Sequence, residues 1–334
     1  MKKLKIFLMT KNEIDLIEDW IKYHGYIFGL DNIHIVDGSD DNDVLIIYEK
    51  YKNFGLNVHH TSLGLNYLEE YLTKIMHKYK GEDNFLIKLD TDEFLSYLPK
   101  FRFRNRTLLK VFSRKHSTFE RFLRKLKTKY FELKFGNSIP SNKEFEAFFN
   151  NIPVTGYKYK ASFTAWSIPS LDEVSNPTKT LTEFSYFQYS TIKSFFHSDS
   201  FIKVDLGCHA GQSVKNDYSI DSGLSIIHYH NVSLQATIRK AKQVIISHGY
   251  IDDADPISVQ KDKIKHHLCQ GFIKSYHKLK IYLSYLNHLP DLSKFDLNDL
   301  SYFNPFFKKS QKSQHIKLVR KTLLEIEQKR IYDL

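Results

Sequence analysis

The stretch "NFLIKLDTDEFL" (residues 84–95) decides the fold prediction, because a run of apolar residues ends there in two aspartates. Residues 84–90 have the composition of a buried β-strand, and Asp90 and Asp92 follow at its carboxyl end. Residues two apart lie on the same side of an extended chain, with about 6–7 Å between their Cα atoms. The sequence therefore predicts that both carboxylates converge on one cation.

Strand and helix patterns alternate through the first hundred residues. Three further short apolar runs, at 4–10, 32–37 and 57–62, predict strands, and helical patterns of 10–15 residues separate them. Strands joined by helices form βαβ units, which wind into a parallel sheet. Ligands of such sheets bind outside the carboxyl ends of the strands, where Asp90 and Asp92 are expected. The predicted fold class is α/β.

A second acidic turn, "VDGSDDN" (residues 36–42), follows the second predicted strand. If the strand order keeps the ends adjacent, Asp37 and Asp40 line the same crevice as Asp90. A carboxylate at this position accepts hydrogen bonds from a ribose hydroxyl or a base N–H group. The alternative interpretation is an ordinary turn rich in Asp and Asn.

Two histidines end a later β-rich run, "GLSIIHYHNVS" (residues 223–233). His228 and His230 are two apart, so in a strand they share one face, and neutral imidazole is a common ligand of transition metals. A single histidine on an apolar strand is more often a core residue. Asn231 and Ser233 then offer a cap for the helix predicted from residue 234.

The bulk composition bounds the class of protein. The chain has 334 residues, of which 42% are hydrophobic and 26% charged, so it is expected to fold around a substantial core. Its two cysteines, Cys208 and Cys269, provide neither a disulfide framework nor a zinc cluster. We expect a reducing, cytoplasmic location. No run of residues has the length and apolar character of a membrane span, and the N-terminal run is too short for a signal peptide.

The net charge of +11 is local. Between Lys100 and Lys134 there are thirteen Lys or Arg and two Glu, an excess equal to that of the whole chain. Apolar residues recur in this segment near helical spacing, which predicts an amphipathic basic helix or helix pair. Such a helix has a solvated face, or it binds an anionic acceptor, or it binds an anionic membrane surface. In the last case we expect the protein to be peripheral on the cytoplasmic face of a membrane. Nucleic acid is an unlikely partner, because no nucleic-acid-binding motif accompanies the charge.

Four blocks in this order resemble glycosyltransferases of the GT-A fold, with families 2 and 92 the nearest. They are "KNEIDLIEDWIKYHGYIFGLDNIHIVDGSDD" (11–41), "LIKLDTDEFL" (86–95), "IKSFFHSDSFIKVDLGCHAG" (192–211) and "IIHYH" (226–230). The resemblance covers about residues 4–100 and 185–240. It implies a mixed sheet flanked by helices, of the GT-A, Rossmann-like type, with a basic helical insertion and a helical C-terminal region added to it. Family 2 turns often read D-D-G-S, whereas here Val36 precedes Asp37.

The resemblance implies a metal-dependent glycosyltransferase. It moves a sugar from a nucleotide-diphosphate donor, most commonly a UDP-sugar, to a saccharide, lipid-linked or protein acceptor. Asp90 and Asp92 are implied ligands of Mn²⁺ or Mg²⁺, with His228, His230 or His209 as a third ligand. The implied nucleotide-sugar and catalytic residues are Lys11, Asn12, Glu13, Asp37, Asp40 and Asp90, with Asp199 and Asp205 as candidate bases and Glu93 beside the metal or acceptor.

The predicted organisation has four parts. Residues 1–99 form the nucleotide-sugar half, 100–150 the basic helical insertion, 151–245 the acceptor half and 246–334 a helical C-terminal region. Two other functions stay open. A non-enzymatic module that binds membranes or nucleic acid explains the basic segment but leaves the aspartates without a role. A phosphatase of the haloacid dehalogenase type has Thr or Val two residues after its second aspartate, where this chain has Phe94.

Overall fold

The structure is a computed structural model, which describes residues 3–63, 65–97, 142–167, 176–181, 184–185, 188–205, 210–230, 232–270, 275–289, 310–311 and 314–332. Three of the expectations lie outside these residues: the basic helix of Lys100–Lys134, the ligand candidate His209 and the cap candidate Asn231. No helix among the described residues has both the length and the apolar character that crossing a bilayer requires.

The strands are β1 (Leu4–Thr10), β2 (Ile33–Asp37), β3 (Asn57–His60), β4 (Phe85–Leu89), β5 (Glu93–Tyr97), β6 (Tyr157–Trp166), β7 (Phe184–Ser185), β8 (Gln188–His197), β9 (Phe201–Val204), β10 (Gly211–Ser213), β11 (Lys215–Asp221), β12 (Leu224–His228) and β13 (Ser310–Gln311). The helices are α1 (Ile14–Phe28), α2 (Asn42–Lys52), α3 (Leu65–His77), α4 (Asn142–Asn151), α5 (Pro177–Thr180), α6 (Leu234–Ser247), α7 (Ile257–Cys269), α8 (Tyr276–His288) and α9 (Gln314–Gln328).

Within the described residues, nine strands form one mixed sheet. Eight of them lie in the order β3-β2-β1-β4-β8-β6-β12-β5, and β11 pairs with β6. Strands β1 to β4 are parallel, β8 runs antiparallel to both β4 and β6, and β5 runs antiparallel to β12. The four strands predicted in the first hundred residues are all present. The predicted class, a mixed α/β sheet flanked by helices, is confirmed.

The strand order reverses at β1. Strand β2 pairs with one side of β1 and β4 pairs with the other, and Leu8 of β1 is level with Ile35 and Leu89. The loops after β1, β2 and β4 therefore leave the sheet at the same edge. A crevice opens where the chain winds in opposite directions from one strand, which is the usual place for a ligand of such a sheet.

Both faces of the sheet are covered because its strands alternate their side chains between two cores. In β1, Ile6 and Leu8 belong to the large core beneath α1 and α2, whereas Phe7 belongs to a second core with α3 and β9. A third apolar cluster joins α6, α7 and α8. Because α6 follows β12 directly, this helical layer starts beside the carboxyl edge of the sheet.

Three side chains of α1 hold the outer edge of β5, the last strand in the order. Trp20 Nε1 donates to the carbonyl of Glu93 at 2.9 Å, and the Tyr23 hydroxyl donates to the carbonyl of Leu95 at 2.6 Å. The backbone N–H of Leu95 donates to His24 Nε2 at 3.3 Å. The "W..YH" pattern therefore replaces a neighbouring strand and fixes the segment that follows the two aspartates.

The described residues of the C-terminal region form three helices, as predicted, and the short strand β13, but these helices pack in different places. Helices α7 and α8 join α6, whereas α9 packs on α1, and the Tyr26 hydroxyl donates to Glu325 Oε1 at 3.0 Å. Strands β6, β8 and β12 place much of 151–245 in the same sheet as the N-terminal strands. The proposed boundaries at 99, 150 and 245 stay a prediction.

Candidate active site

Asp92 lies at the centre of a buried cluster at the carboxyl edge of the sheet. His228 Nε2 is 3.1 Å from Asp92 Oδ1, and His230 Nδ1 is 3.4 Å from Asp92 Oδ2. One potential ligand atom from each of these three residues lies within 4.8 Å of the others. The Lys240 ammonium, from α6, is 3.2 Å from Asp92 Oδ2. The predicted meeting of the aspartate motif with the two histidines is thus present.

Asp90 and Asp92 do not converge on one point. Strand β4 ends at Leu89 and β5 begins at Glu93, and the Glu93 N–H donates to the Asp90 carbonyl at 3.0 Å. The two aspartates therefore lie in a tight turn, and the expectation of an extended chain was wrong at this point. Because the backbone reverses between them, each carboxylate takes different partners.

The Asp90 carboxylate is held by two lysines. Lys88 pairs with Oδ1, and Lys193 Nζ lies 2.6 Å from Oδ2. Lys193 Nζ is also 2.9 Å from Glu93 Oε2, and the backbone N–H of Asp90 donates to the same oxygen at 2.8 Å. Lys193 and Glu93 are 0% and 1% exposed at their side chains. This buried network fixes the turn from beneath.

The charges around the turn set the protonation of its groups. Burial alone raises the pKa of a carboxyl group, but Lys88 and Lys193 hold the pKa of Asp90 well below its usual range. Against the same effect of burial, His228, His230 and Lys240 hold the pKa of Asp92 far below its usual range. Glu93 is different, because burial outweighs Lys193 and raises its pKa.

The two histidines respond in opposite directions to the same carboxylate. Burial lowers the pKa of His228, but the hydrogen-bonded Asp92 more than offsets this and raises it. At His230 burial dominates and lowers the pKa to about 4. His228 is thus biased towards the charged form, and His230 towards the neutral form that binds metals. The Trp166 ring packs against His228, with 4.4 Å between the ring centroids.

The donor set fits a divalent transition metal. One carboxylate and two imidazoles are ligands of borderline softness, whereas Mg²⁺ prefers oxygen ligands alone. His228 directs Nε2 at Asp92, and its buried Nδ1 forms no hydrogen bond with the described residues. Asp92, His228 and His230 are the residues that would hold the ion. Asp90 lies outside this set.

The turn after β2 is joined to the loop after β1 by Asn12. Asn12 Nδ2 donates to Asp40 Oδ1 at 2.6 Å, and Asn12 Oδ1 accepts from the N–H groups of Asp40 and Asp41 at 3.1 Å. Asn12 has a φ of 54°, a left-handed conformation that asparagine tolerates better than most residues. The hydrogen bond from the Asn12 side chain, the backbone N–H of Asp40 itself and the charge of Lys11 lower the pKa of the exposed Asp40 carboxyl group.

Asp37 is buried at the end of β2 and is already hydrogen bonded. Its Oδ1 accepts from Ser39 Oγ at 2.6 Å and from the Tyr48 hydroxyl at 3.1 Å, and its Oδ2 lies 3.1 Å from His60 Nδ1. The side chain therefore shapes the turn. His60, which is half exposed, is the member of this group that extends towards solvent.

Lys11 and Glu13 lie on either side of Asn12 in the loop after β1, and both are exposed. Although solvent reaches Glu13, the protein atoms that surround it on the wall of the crevice partly desolvate the carboxyl group and raise its pKa. Lys240 opposes this rise and Asp92 adds to it. Glu13 is thus within electrostatic range of the Asp92 cluster. Thr91 Oγ1 lies 3.3 Å from Thr10 Oγ1, and this contact joins the turn after β4 to the end of β1.

The structure does not bring the two candidate bases to this cluster. Strand β8 runs antiparallel to β4, so Asp199 lies at the amino end of β4 and accepts from the Gly81 N–H at 2.8 Å. A five-residue strand separates that end from Asp90 by about 17 Å. Asp205 follows β9, and its Oδ1 accepts from the Ala210 N–H at 2.8 Å. Glu93, the third candidate, is close but buried beneath the turn.

Sequence reasoning missed the lysines of the site. Lys88 and Lys193 carried a signal, because each interrupts an apolar run, in "FLIKL" and "TIKSFF", where a buried strand admits a charge only with a partner. Lys240 carried none, since a lysine in an amphipathic helix is ordinary. Trp166 at the end of β6 also had no distinguishing pattern.

No family model matches the chain, and no curated protein sequence matches it. Among solved structures the chain is similar to that of S. aureus TarS 1-349, with 11% identity over 90% of this chain and 77% of that chain and a TM-score of 0.31. TarS 1-349 in complex with UDP matches with 14% identity, covering 90% and 78%, with a TM-score of 0.30. The strand order defines the fold, and the geometry of the Asp92 cluster defines the candidate site.

Proposed function

We propose that this protein is a metal-dependent glycosyltransferase that uses a nucleotide-diphosphate sugar. The observation that carries the proposal is the Asp92–His228–His230 cluster at the carboxyl edge of the sheet, beside the point where the strand order reverses. A nucleotide would lie across the loops after β1, β2 and β4, which Asn12 and Thr91 hold together. The resemblance of the sequence blocks to GT-A glycosyltransferases points to the same reaction.

Each group of residues then has a distinct task. Asp92, His228 and His230 would hold a divalent ion, Mn²⁺ in preference to Mg²⁺, because two of the three ligands are imidazoles. When bound, that ion neutralises the charge that develops on the nucleotide diphosphate as the sugar leaves. Asp90, with Lys88, Lys193 and Glu93, keeps the turn in place. Lys11, Glu13 and Asp40 line the loops where the nucleotide would lie.

A thermal-shift screen tests the proposal. The purified protein is heated with UDP, GDP, CMP or TDP, each with Mn²⁺ or with EDTA. A ligand at 100 times its Kd stabilises the folded state by about 2.7 kcal/mol, which for a chain of this length raises the Tm by about 4 °C. We expect UDP with Mn²⁺ to raise the Tm and EDTA to abolish the rise. If no nucleotide raises the Tm under either condition, the proposed function is wrong.

Two variants make the screen specific to the site. Asp92→Asn removes one charge from the cluster and should abolish the metal-dependent rise. Asp43→Asn makes the same chemical change in the exposed first turn of α2 and should leave the rise intact. If the metal-dependent rise in Tm persists in Asp92→Asn, residues other than Asp92 bind the metal.

The acceptor is proposed to be a saccharide, a lipid-linked saccharide or a protein, and the basic segment Lys100–Lys134 to bind an anionic membrane surface or acceptor. Its thirteen basic residues carry this proposal. Co-sedimentation with vesicles of anionic lipid should weaken steeply with salt, because the charge is screened over about 10 Å at 0.1 M. If the protein does not bind these vesicles, or if salt does not weaken the binding, the basic segment is a solvated helical face and not a membrane-binding surface.

A further inference from the structure

Two lysines of the helical layer have no assigned role: Lys240 of α6 contacts Asp92, and Lys278 of α8, a helix packed against α6, is within electrostatic range of Lys240 and Asp92. Both backbones are fixed by the apolar core that joins the two helices. Ala241 and Leu279, the residues that directly follow the two lysines, are fully buried in that core. The two ammonium groups are therefore presented by a packed layer rather than by loops.

Lys240 has both a partner and access to solvent. Its Nζ is 3.2 Å from Asp92 Oδ2, and its side chain is 41% exposed. This is the same oxygen that His230 approaches, so any cation bound by Asp92 competes with the ammonium. Lys240 thus occupies one side of the carboxylate that a metal ion would use.

Lys278 is half buried and lacks a countercharge. Among the described residues, no carboxylate forms an ion pair with it. Burial and the neighbouring Lys240 together lower the pKa of Lys278 to about 8, against the opposing effect of Asp92. At neutral pH the group is still mostly charged, so two ammonium groups face the Asp92 carboxylate, and the Glu13 carboxyl group is also within electrostatic range of Lys240.

A divalent ion on Asp92 would upset this balance. The ion brings two positive charges, so the ion, Lys240 and Lys278 together exceed the negative charge of Asp92 and Glu13. An anionic ligand restores neutrality, and phosphate oxygens accept hydrogen bonds from lysine ammonium groups. The binding of cation and anion is therefore coupled.

We propose that Lys240 and Lys278 form a phosphate-binding subsite beside the metal site, and that Lys240 moves from Asp92 to a phosphate when a divalent ion binds. The identity of the ligand, the diphosphate of a nucleotide sugar, rests on the proposed function. The subsite itself rests on the position of the two lysines.

Titration with inorganic pyrophosphate in micromolar Mn²⁺, followed by calorimetry, tests the subsite without a nucleotide. Lys240→Gln and Lys278→Gln should each weaken binding by about tenfold or more, the usual loss for a charge-assisted hydrogen bond. The controls are Lys242→Gln and Lys280→Gln, two residues further along the same helices. Lys242 pairs with Asp253, and Lys280 lies over the Tyr276 ring. Equal affinity in the four variants would overturn the proposal.

A second measurement moves in the opposite direction. Mn²⁺ alone, followed by electron paramagnetic resonance, should bind more tightly to Lys240→Gln than to the unchanged protein, because the competing ammonium is gone. A variant that has merely lost structure would bind the ion more weakly. A calorimetric unfolding transition establishes that Lys240→Gln is folded, and unchanged, weaker or undetectable Mn²⁺ binding in the folded variant would refute the exchange of partners.

The result separates this inference from the proposed function. Pyrophosphate that binds through both lysines, with no nucleotide raising the Tm, would support the subsite and reject the glycosyltransferase. UDP that binds with Mn²⁺ equally well in Lys240→Gln and Lys278→Gln would support the function and reject the subsite.

Discussion

The most informative single change to the folded protein is Lys193→Met. The substitution keeps the apolar stem and removes the charge between Asp90 and Glu93. The Lys193 side chain is 0% exposed, and its Nζ lies 2.6 Å from Asp90 Oδ2 and 2.9 Å from Glu93 Oε2. In the variant two carboxylates face each other in a buried turn, and Glu93 has lost its ammonium partner.

Removing one partner of a buried ion pair costs about 3–5 kcal/mol. Unfolding entropy of about 2.1 cal/mol/K per residue gives about 0.7 kcal/mol/K for this chain, so the Tm of Lys193→Met should fall by about 4–7 °C. Differential scanning calorimetry at pH 7.5 measures this fall. The control is Lys74→Met, since the Lys74–Glu70 pair has the same 2.9 Å separation but both side chains are 71% exposed. An exposed pair contributes little, so we expect a change below about 1 °C.

The loss in Lys193→Met should also depend on pH. Burial raises the pKa of Glu93, and Lys193 opposes this rise, so the pKa rises further in the variant. Above the pKa of an unfolded glutamate, about 4.3, the folded variant then binds a proton that the unfolded chain releases. The difference in stability from the unchanged protein should narrow as the pH falls from 7.5 towards 5. Equal losses of Tm in Lys193→Met and Lys74→Met, or a difference independent of pH, would refute this account of the buried network.

Three further predictions concern other parts of the site and its support. Tyr23→Phe leaves the Leu95 carbonyl without its buried donor, which costs about 1–3 kcal/mol and lowers the Tm by about 1.5–4 °C; an unchanged Tm would show that water replaces the hydroxyl. Burial lowers the pKa of His24 to about 3, so its contribution to stability is present above pH 6.5 and is lost as the pH falls towards 3. Between pH 7.5 and pH 5, the free energy of unfolding measured in urea titrations should fall by about 2 kcal/mol less in His24→Gln than in the unchanged protein. An equal fall in both proteins would contradict this prediction. Asp92→Asn should abolish sugar transfer and Mn²⁺ binding while its far-ultraviolet circular dichroism is retained, and full turnover in saturating Mn²⁺ would contradict the metal assignment.

The N-terminal half of the fold was predictable because its signals are local. Each of the strands β1 to β4 is a short apolar run between turn residues, and a helix follows each of the first three, so composition and spacing were sufficient. The edge at which Asp37 and Asp90 leave the sheet followed from parallel strands alone. The order β2-β1-β4 did not, because strand neighbours depend on contacts far apart in the chain.

The candidate site divides in the same way. Asp92, His228 and His230 were named from residue type and position, and the structure brings them together across more than a hundred residues. The expectation for Asp90 was wrong in geometry because a hydrogen bond from Glu93 closes the turn, which no two-residue spacing reveals. Asp199 was chosen as a candidate base from one of the four resembling blocks, but the antiparallel course of β8 places it at the opposite end of the sheet.

The sequence by itself determined an α/β chain, its first four strands, the aspartate turn and the two histidines, because these depend on residue type and on neighbours within a few positions. Only the tertiary structure decided which charges meet. Lys193 from β8 and Lys240 from α6 reach Asp90 and Asp92 across 103 and 148 positions. Such pairs form because a buried carboxylate requires a countercharge, and packing alone determines which lysine provides it.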